Sequence, residues 1–198
     1  MSESQIHESV QTHGGLASLT DVAADDIEAI VGYWFGGADL DFLGIDRARL
    51  GTPADAHARF AKMIRSGEAD QTSTAFAIRL DGALVGYTAL NRYATDRNFS
   101  HWHVIRPERR AAGLSSALYP YRLKMYFDLF PLERLTHQTR TRNLGVNRML
   151  DKYVPVAETR HEEKPDGLAA PGEFHIRYVY RTDIPGFFRR AEELCAGE

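Results

Sequence analysis

Phe99 to Leu118 reads FSHWHVIRPERRAAGLSSAL, and a change of hydrophobic period inside it decides the fold. From Phe99 to Ile105 the chain alternates, with His101, His103 and Ile105 on one face and Trp102 and Val104 on the other, the period of a β-strand. Pro107 removes a backbone donor, so regular pairing stops there. From Leu114 the apolar positions Leu114, Leu118, Tyr121 and Met125 take helical spacing, which predicts a helix. The turn between them, Arg109, Arg110, Ala111, Ala112, Gly113, Leu114 and Ser115, has small residues where a ligand can approach the main chain. The unpaired N–H groups and positive dipole end of the following helix point into that turn, an arrangement that suits a pyrophosphate. A plain strand-to-helix connection has the same composition, so the turn by itself leaves both readings open.

Working outward, 198 residues with 43% hydrophobic content suit one globular domain with a full-sized core. A net charge of −3 gives no general attraction to nucleic acid or to an anionic membrane. No run approaches the ~18 apolar residues of a membrane span. The N-terminus lacks the basic and apolar regions of a secretory signal, so a cytoplasmic location is the default expectation. The single Cys195 excludes an intramolecular disulfide and a cysteine-based metal cluster. It follows Glu192 and Glu193, which disfavour a reactive thiolate.

Residues 1–13 read as a flexible polar arm, and 14–198 as a single domain. Ile27, Ile30, Val31 and Trp34 repeat at helical spacing and end at Gly36-Gly37. Thr52-Pro53-Ala54-Asp55 starts a second helix, with Thr as N-cap and Pro in the first turn, whose buried face is Phe60, Met63 and Ile64. Two alternating strands from Thr74 flank Asp81-Gly82, a type I′ hairpin signal. After the helix that follows the phosphate turn come a strand from Arg134 to Arg140 and a short helix from Asn143. Strands at Val154 to Arg160 and Glu173 to Arg181 enclose the Pro/Gly loop HEEKPDGLAAPGE. A closing helix spans Phe187 to Cys195.

The central stretch resembles the signature of the GCN5-related N-acetyltransferases, Arg/Gln-x-x-Gly-x-Gly/Ala with Pro three residues earlier, through Pro107, Arg110 and Gly113; Ser115 stands at the last position. Asn143 and Lys152 match the family's second block, while Val154 and Pro155 depart from its Gly-Phe. The element order is also that of the family, over about residues 16–181. The resemblance implies an α/β (α+β) fold: a mixed, mostly antiparallel sheet flanked by helices, whose central parallel strand pair splays apart around the pantetheine arm of acetyl-CoA. It implies acetyl-CoA as acyl donor and an acceptor that is a small-molecule amine or a peptide N-terminus. The nearest branch is the one acting on ribosomal-protein N-termini, amino acids or antibiotics. The donor contacts it implies are Ile105, whose backbone N–H would hold the thioester carbonyl, then Arg109, Arg110, Ala111, Ala112, Gly113, Leu114, Ser115 and Asn143.

Acyl transfer to an amine needs a base, a polarised carbonyl and an acid for the leaving thiolate. His101 and His103, on one strand face, are candidate bases because neutral imidazole titrates near working pH. Two strand histidines resemble the arrangement in arylalkylamine acetyltransferases, where only His101 matches in register. Half-buried structural histidines read the same way. The pair falls short of a zinc site, and no metal is expected; His137 on the next strand is the candidate third ligand or relay partner. The family's acid Tyr is replaced by Leu150, leaving Tyr153 as candidate acid or as part of the helix's apolar face. Among Tyr33, Trp34, Phe35 and Phe42, which could line an acceptor pocket, Trp34 fits the core best. Two alternatives stay open: an acyl carrier protein as donor, docked near Arg109, Arg110 and Arg142, and a non-catalytic acyl-CoA-binding module. The 161–173 loop reads equally as an acceptor lid or a homodimer contact.

Overall fold

The computed structural model describes residues 5–64, 72–95, 98–109, 113–165 and 167–196. Strands β1 (Ile6–Thr12) and β2 (Gly15–Asp21) form a hairpin, followed by helix α1 (Ala24–Gly32), whose end continues as a π-turn over Tyr33–Gly37. Two short helices, α2 (Leu40–Leu43) and α3 (Arg47–Leu50), precede α4 (Pro53–Ile64). Strands β3 (Ser73–Leu80), β4 (Ala83–Asn91) and β5 (Phe99–Val104) lead into α5 (Leu114–Leu129). The chain closes with β6 (Arg134–Arg140), α6 (Leu144–Asp151), β7 (Glu158–Glu162), β8 (Gly172–Tyr180) and α7 (Ile184–Ala196).

Three elements differ from their sequence reading. The polar arm expected over residues 1–13 is, over Ile6–Thr12, the edge strand β1, paired antiparallel with β2; a polar sequence suits an edge whose outer side faces water. The two helices before the sheet become four helical segments, because Asp39 and Asp46 each cap a further short turn, accepting from the Phe42 and Ala48 N–H groups at 2.9 Å. The strand expected from Val154 begins only at Glu158, since the Val154 N–H still closes the preceding helix on the Leu150 carbonyl at 2.8 Å and Pro155 has no donor for a ladder. The Asp81-Gly82 hairpin is as read: φ is 49° and 81° at its two central residues, the left-handed pair of a type I′ turn.

The strands form two sheets, β1-β2-β3-β4-β5 and β6-β8-β7, in which every ladder is antiparallel. Between β5 and β6 no ladder bond forms among the described residues; side chains take its place. Asn98 donates to the Arg134 carbonyl at 2.7 Å, and Ser100 Oγ lies 3.3 Å from His137 Nδ1. These partner numbers rise together, so β5 and β6 run the same way and part as a fork.

Alternation along β3 sends Phe76 and Ile78 to one core and Ala75 and Ala77 to the other. The first core packs under α5 and α7, with Leu19, Leu118, Leu123, Tyr126, Leu135 and Val179 fully enclosed. The second packs under α1 and α4, around Ile30, Trp34, Phe60 and Tyr87. Helix α5 is buried on more than the predicted stripe, with Tyr119, Leu123, Tyr126 and Phe127 joining Leu114, Leu118 and Met125, as expected for a helix wedged between two sheets and α7.

Candidate functional site

At the end of β5 a single turn, Pro107–Arg109, carries the chain out of the sheet, and Gly113 returns it at φ +72° as the N-cap of α5. That left-handed conformation is the physical reason for glycine here. Among the described residues no atom lies within 4 Å of where a Cβ would sit, so this side of the turn has room for a ligand. Leu114, Ser115 and Ser116 open α5, and the first N–H groups of a helix precede its own hydrogen-bond ladder, an arrangement that suits a pyrophosphate. The Leu114 side chain is in the core and Arg109 is exposed. Arg110, Ala111 and Ala112 lie outside the described residues.

Ser115 is occupied in an unexpected way: Trp102 Nε1 donates to its Oγ at 3.1 Å, tying the first turn of α5 to the central strand. Asn143 is the N-cap of α6, accepting from the Val146 N–H at 3.3 Å, so the capping alternative is the one observed. The expectation for Ile105 is corrected. Its N–H already donates to the Val85 carbonyl at 2.9 Å and cannot hold a thioester; by strand alternation it is Trp102 and Val104 whose N–H groups point to the β6 side.

His101 and His103 share the face of β5 that looks toward α1. Their ring centroids are 5.3 Å apart. His103 stacks on Tyr87 at 5.2 Å and meets Trp34 edge-on at 4.7 Å, while His101 lies 3.4 Å from Asn91 Nδ2. Burial, assisted by the positive charge of Arg122, pushes His101 down to about 4, so its imidazole is neutral at pH 7. Trp34 is a core residue, donating to the Tyr87 hydroxyl at 2.9 Å. Phe35 and Phe42 are exposed, at 39% and 49%.

His137 is on the other face. It is fully buried, bridging Ser100 at 3.3 Å and the Tyr119 hydroxyl at 3.1 Å, and it cannot complete a metal site with His101 and His103. Among the described residues no group of three or more His, Cys, Asp or Glu side chains is placed to hold a metal. The Ser100–His137–Tyr119 bridge joins β5, β6 and α5 at the closed end of the fork. Burial, with Arg122 and Arg177 nearby, holds His137 well below its ordinary value.

Tyr153 has a structural task that its sequence position hides. Pro120 lies inside α5 and has no N–H to give the Ser116 carbonyl four residues back. The Tyr153 hydroxyl donates to that carbonyl at 3.0 Å, while its ring packs on Tyr119 at 4.7 Å. The phenol thus sits over the first turn of α5, beside the open Gly113 turn, and combines the apolar role with a polar one.

The loop between β7 and β8 is fastened to the α2–α3 segment. Ile45 bridges to Ala169, Arg49 donates to the carbonyls of Pro165 and Ala169 at 2.7 and 3.2 Å, and the Ala170 N–H donates to the Gly44 carbonyl at 2.8 Å. A Cβ placed on Gly167 would meet the Phe99 ring at 3.6 Å, so the loop passes the start of β5. A hollow of about 430 Å³ lined by Arg140, Arg142, His161 and Glu173 opens beside it, at the end of β6 rather than at the Gly113 turn.

No family model matches the chain, and no curated protein matches it. Solved structures do. The chain is similar to Mycobacterium smegmatis RimJ in complex with a CoA-disulfide, at TM-score 0.73 and 17% identity, over 98% of this chain and 94% of that one. It is similar to the ribosomal-protein alpha-N-acetyltransferase RimL in complex with coenzyme A, at TM-score 0.70 and 9% identity, over 89% and 98% of the two chains. It is also similar to the self-immunity acetyltransferase MccE in complex with acetyl-CoA and AMP, at TM-score 0.63 and 12% identity, over 86% and 98%. With the parted β5 and β6 and the glycine-capped α5 between them, these likenesses show that the chain has the fold of the GCN5-related N-acetyltransferases.

Proposed function

We propose that the protein is an acyl-CoA-dependent N-acyltransferase that moves an acetyl group from acetyl-CoA to a small-molecule amine or a peptide N-terminus by direct attack. The observation that carries this reading is the fork of β5 and β6 with the open Gly113 turn and first turn of α5 at its mouth. Pyrophosphate of the donor bound there lets the pantetheine arm lie between the strands, bringing the thioester to the level of His101 and His103. The acceptor approaches from the face covered by α1 and the β7–β8 loop.

In the transfer the amine lone pair attacks the thioester carbonyl carbon. As the C–N bond forms, the nitrogen becomes strongly acidic and yields a proton to the neutral imidazole of His101. Collapse breaks the C–S bond, and the thiolate takes a proton from water, since the Tyr153 hydroxyl is given to the Ser116 carbonyl over the pyrophosphate turn. His103, packed against Trp34 and Tyr87, orients His101 and the acceptor.

The test is release of free CoA thiol from acetyl-CoA across a panel of primary amines and short peptides, for wild type and His101→Ala. The reading expects amine-dependent release that falls about 10²–10⁴-fold in the variant, with acetyl-CoA affinity kept. Equal turnover in the two proteins contradicts the role of His101. Release only from an acylated carrier protein would replace acetyl-CoA as donor.

A further inference from the structure

Arg140 ends β6, Arg142 follows it, and both line the hollow beside the β7–β8 loop. The fork fixes where that hollow opens. Ser100 of β5 meets His137 of β6 at 3.3 Å, and the two strands run the same way, so three residues further on His103 and Arg140 stand level. Three steps along a strand also change its face: His137 looks toward α5, and Arg140 looks to the side of His101 and His103. The contacts of Arg140 agree, since it donates to the Ala170 carbonyl of the loop at 2.7 Å and its guanidinium lies 4.7 Å from the Phe174 ring. The hollow is therefore on the acceptor side, at the end where β5 and β6 part.

Two glycines make way for this arginine. A Cβ on Gly44 would collide with Arg140 Nε, and one on Gly172 with Nη1. The charge delivered there is unanswered. Among the described residues no carboxylate pairs with Arg140 or Arg142: they donate to main-chain carbonyls, of Ala170 and of Asp41, and Arg140 Nε is buried without a partner. By contrast Arg79, Arg160 and Arg177 each have an acid, in Asp26, Glu158 and Asp151. Of the other ionisable groups lining the hollow, His161 pairs with Glu163 at 3.1 Å, and among the described residues Glu173 pairs with neither arginine. Two arginines against one glutamate leave a charge of +1. The volume of about 430 Å³ is that of a small-molecule site, roughly 300–1,000 Å³.

We propose that the hollow is an anion subsite for the acceptor: Arg140 and Arg142 hold a carboxylate, so the amine presented to His101 belongs to a molecule that also carries a carboxylate. A planar guanidinium offers paired N–H donors that match a carboxylate, and a charge of +1 suits one such group. The role as acceptor subsite rests on the acyltransferase reading above; the affinity for a carboxylate does not.

Two measurements on the full chain test it. In the first, arginine Nε–H resonances are followed by NMR while glutarate is added, with Arg140→Lys to assign the signal. The expected result is a saturable shift of the Arg140 resonance, with or without CoA present, and binding about tenfold weaker in Arg142→Met. Arg142 is exposed, so substitutions there leave the fold intact. In the second, release of CoA thiol is compared for ω-amino acids of increasing chain length, their amides, and dipeptides with aspartate or asparagine in second place. The acids should exceed the amides by about tenfold in kcat/KM at the best length, mostly through KM. That preference should vanish in Arg142→Met and reverse in Arg142→Glu. Free acids against aspartyl dipeptides tell the two sources of carboxylate apart. A titration without a shift overturns the proposal, and so does equal use of acids and amides by an active wild type, which leaves the acyltransferase reading standing. Displacement of glutarate by CoA overturns it as well, because the hollow would then hold a donor phosphate. A saturable shift in a protein that turns over no amine keeps the carboxylate site and removes the acyltransferase reading instead.

Discussion

At the scale of single residues, Tyr153 shows how one side chain answers a vacancy made by another far away in sequence. Pro120 leaves the Ser116 carbonyl without its helical partner, and the Tyr153 hydroxyl fills the place at 3.0 Å. Tyr153→Phe should therefore cost about 1 kcal/mol, the loss of one half-buried hydrogen bond. In a Pro120→Ala background, where the backbone supplies the bond, the same substitution should cost much less. Equal losses in the two backgrounds, measured by urea unfolding, would refute this coupling. The histidines give a second residue-level prediction. His101 at about 4 stays unprotonated in the folded chain, while the unfolded chain takes up its proton below about 6.5. Stability is then fully present above pH 6.5 and lost as pH falls from 6.5 toward 4. His101 alone accounts for about 2 kcal/mol between pH 7 and pH 5, and His137 acts in the same direction. A flat stability between those pH values would contradict it. Tyr153 could not be assigned this task from sequence, because it depends on a partner brought in by the fold, a proline 33 positions away.

At the scale of elements, legibility followed period and punctuation. The β3–β4 hairpin, β5, α5, β6 and the Asn143 cap carry strong local signals, and each is where the sequence reading has it. Strand β1 was missed because its seven residues, IHESVQT, include only two aliphatic side chains; its place comes from pairing with β2, and the Lys124–Glu8 contact at 2.9 Å links it to α5. The late start of β7 reflects a helix end and a proline that periodicity alone does not weigh. The fastening of the β7–β8 loop to α2–α3 is likewise a long-range feature. It depends heavily on Arg49, which reaches three loop carbonyls at 2.7, 3.4 and 3.2 Å. Arg49→Ala should leave the global melting temperature within a few degrees but make limited proteolysis between Glu163 and Ala170 several-fold faster, since local opening is what a protease senses. Unchanged cleavage would mean that the Ile45–Ala169 bridge suffices. By contrast Arg177, fully buried against α6, belongs to the global fold, and Arg177→Ala should cost about 1–3 kcal/mol because the buried Asn147 Oδ1 and the Val154 carbonyl lose a donor while Asp151 stays solvated.

At the scale of the whole molecule, two cores on opposite faces of a five-stranded sheet hold β5 rigidly, while the second sheet stands off from it at β6. That arrangement was legible as a fold class from the strand, turn and helix of residues 99–118, and it coincides with solved acetyltransferase structures despite 9–17% identity. The site was legible in part. The Gly113 cap and the shared face of His101 and His103 lie where the sequence reading puts them, whereas the bonds that engage Ser115 and Tyr153 come from the fold. The central claim is that the Gly113 turn receives the donor, and calorimetric titration of acetyl-CoA into wild type and Gly113→Glu tests it most directly. Gly113 is exposed, with open space around its Cβ position, so the variant should stay folded with only the strain of a side chain at φ +72°. The account predicts saturable binding to wild type and none to a folded Gly113→Glu. Equal binding by both proteins, or none by a folded wild type, would contradict it.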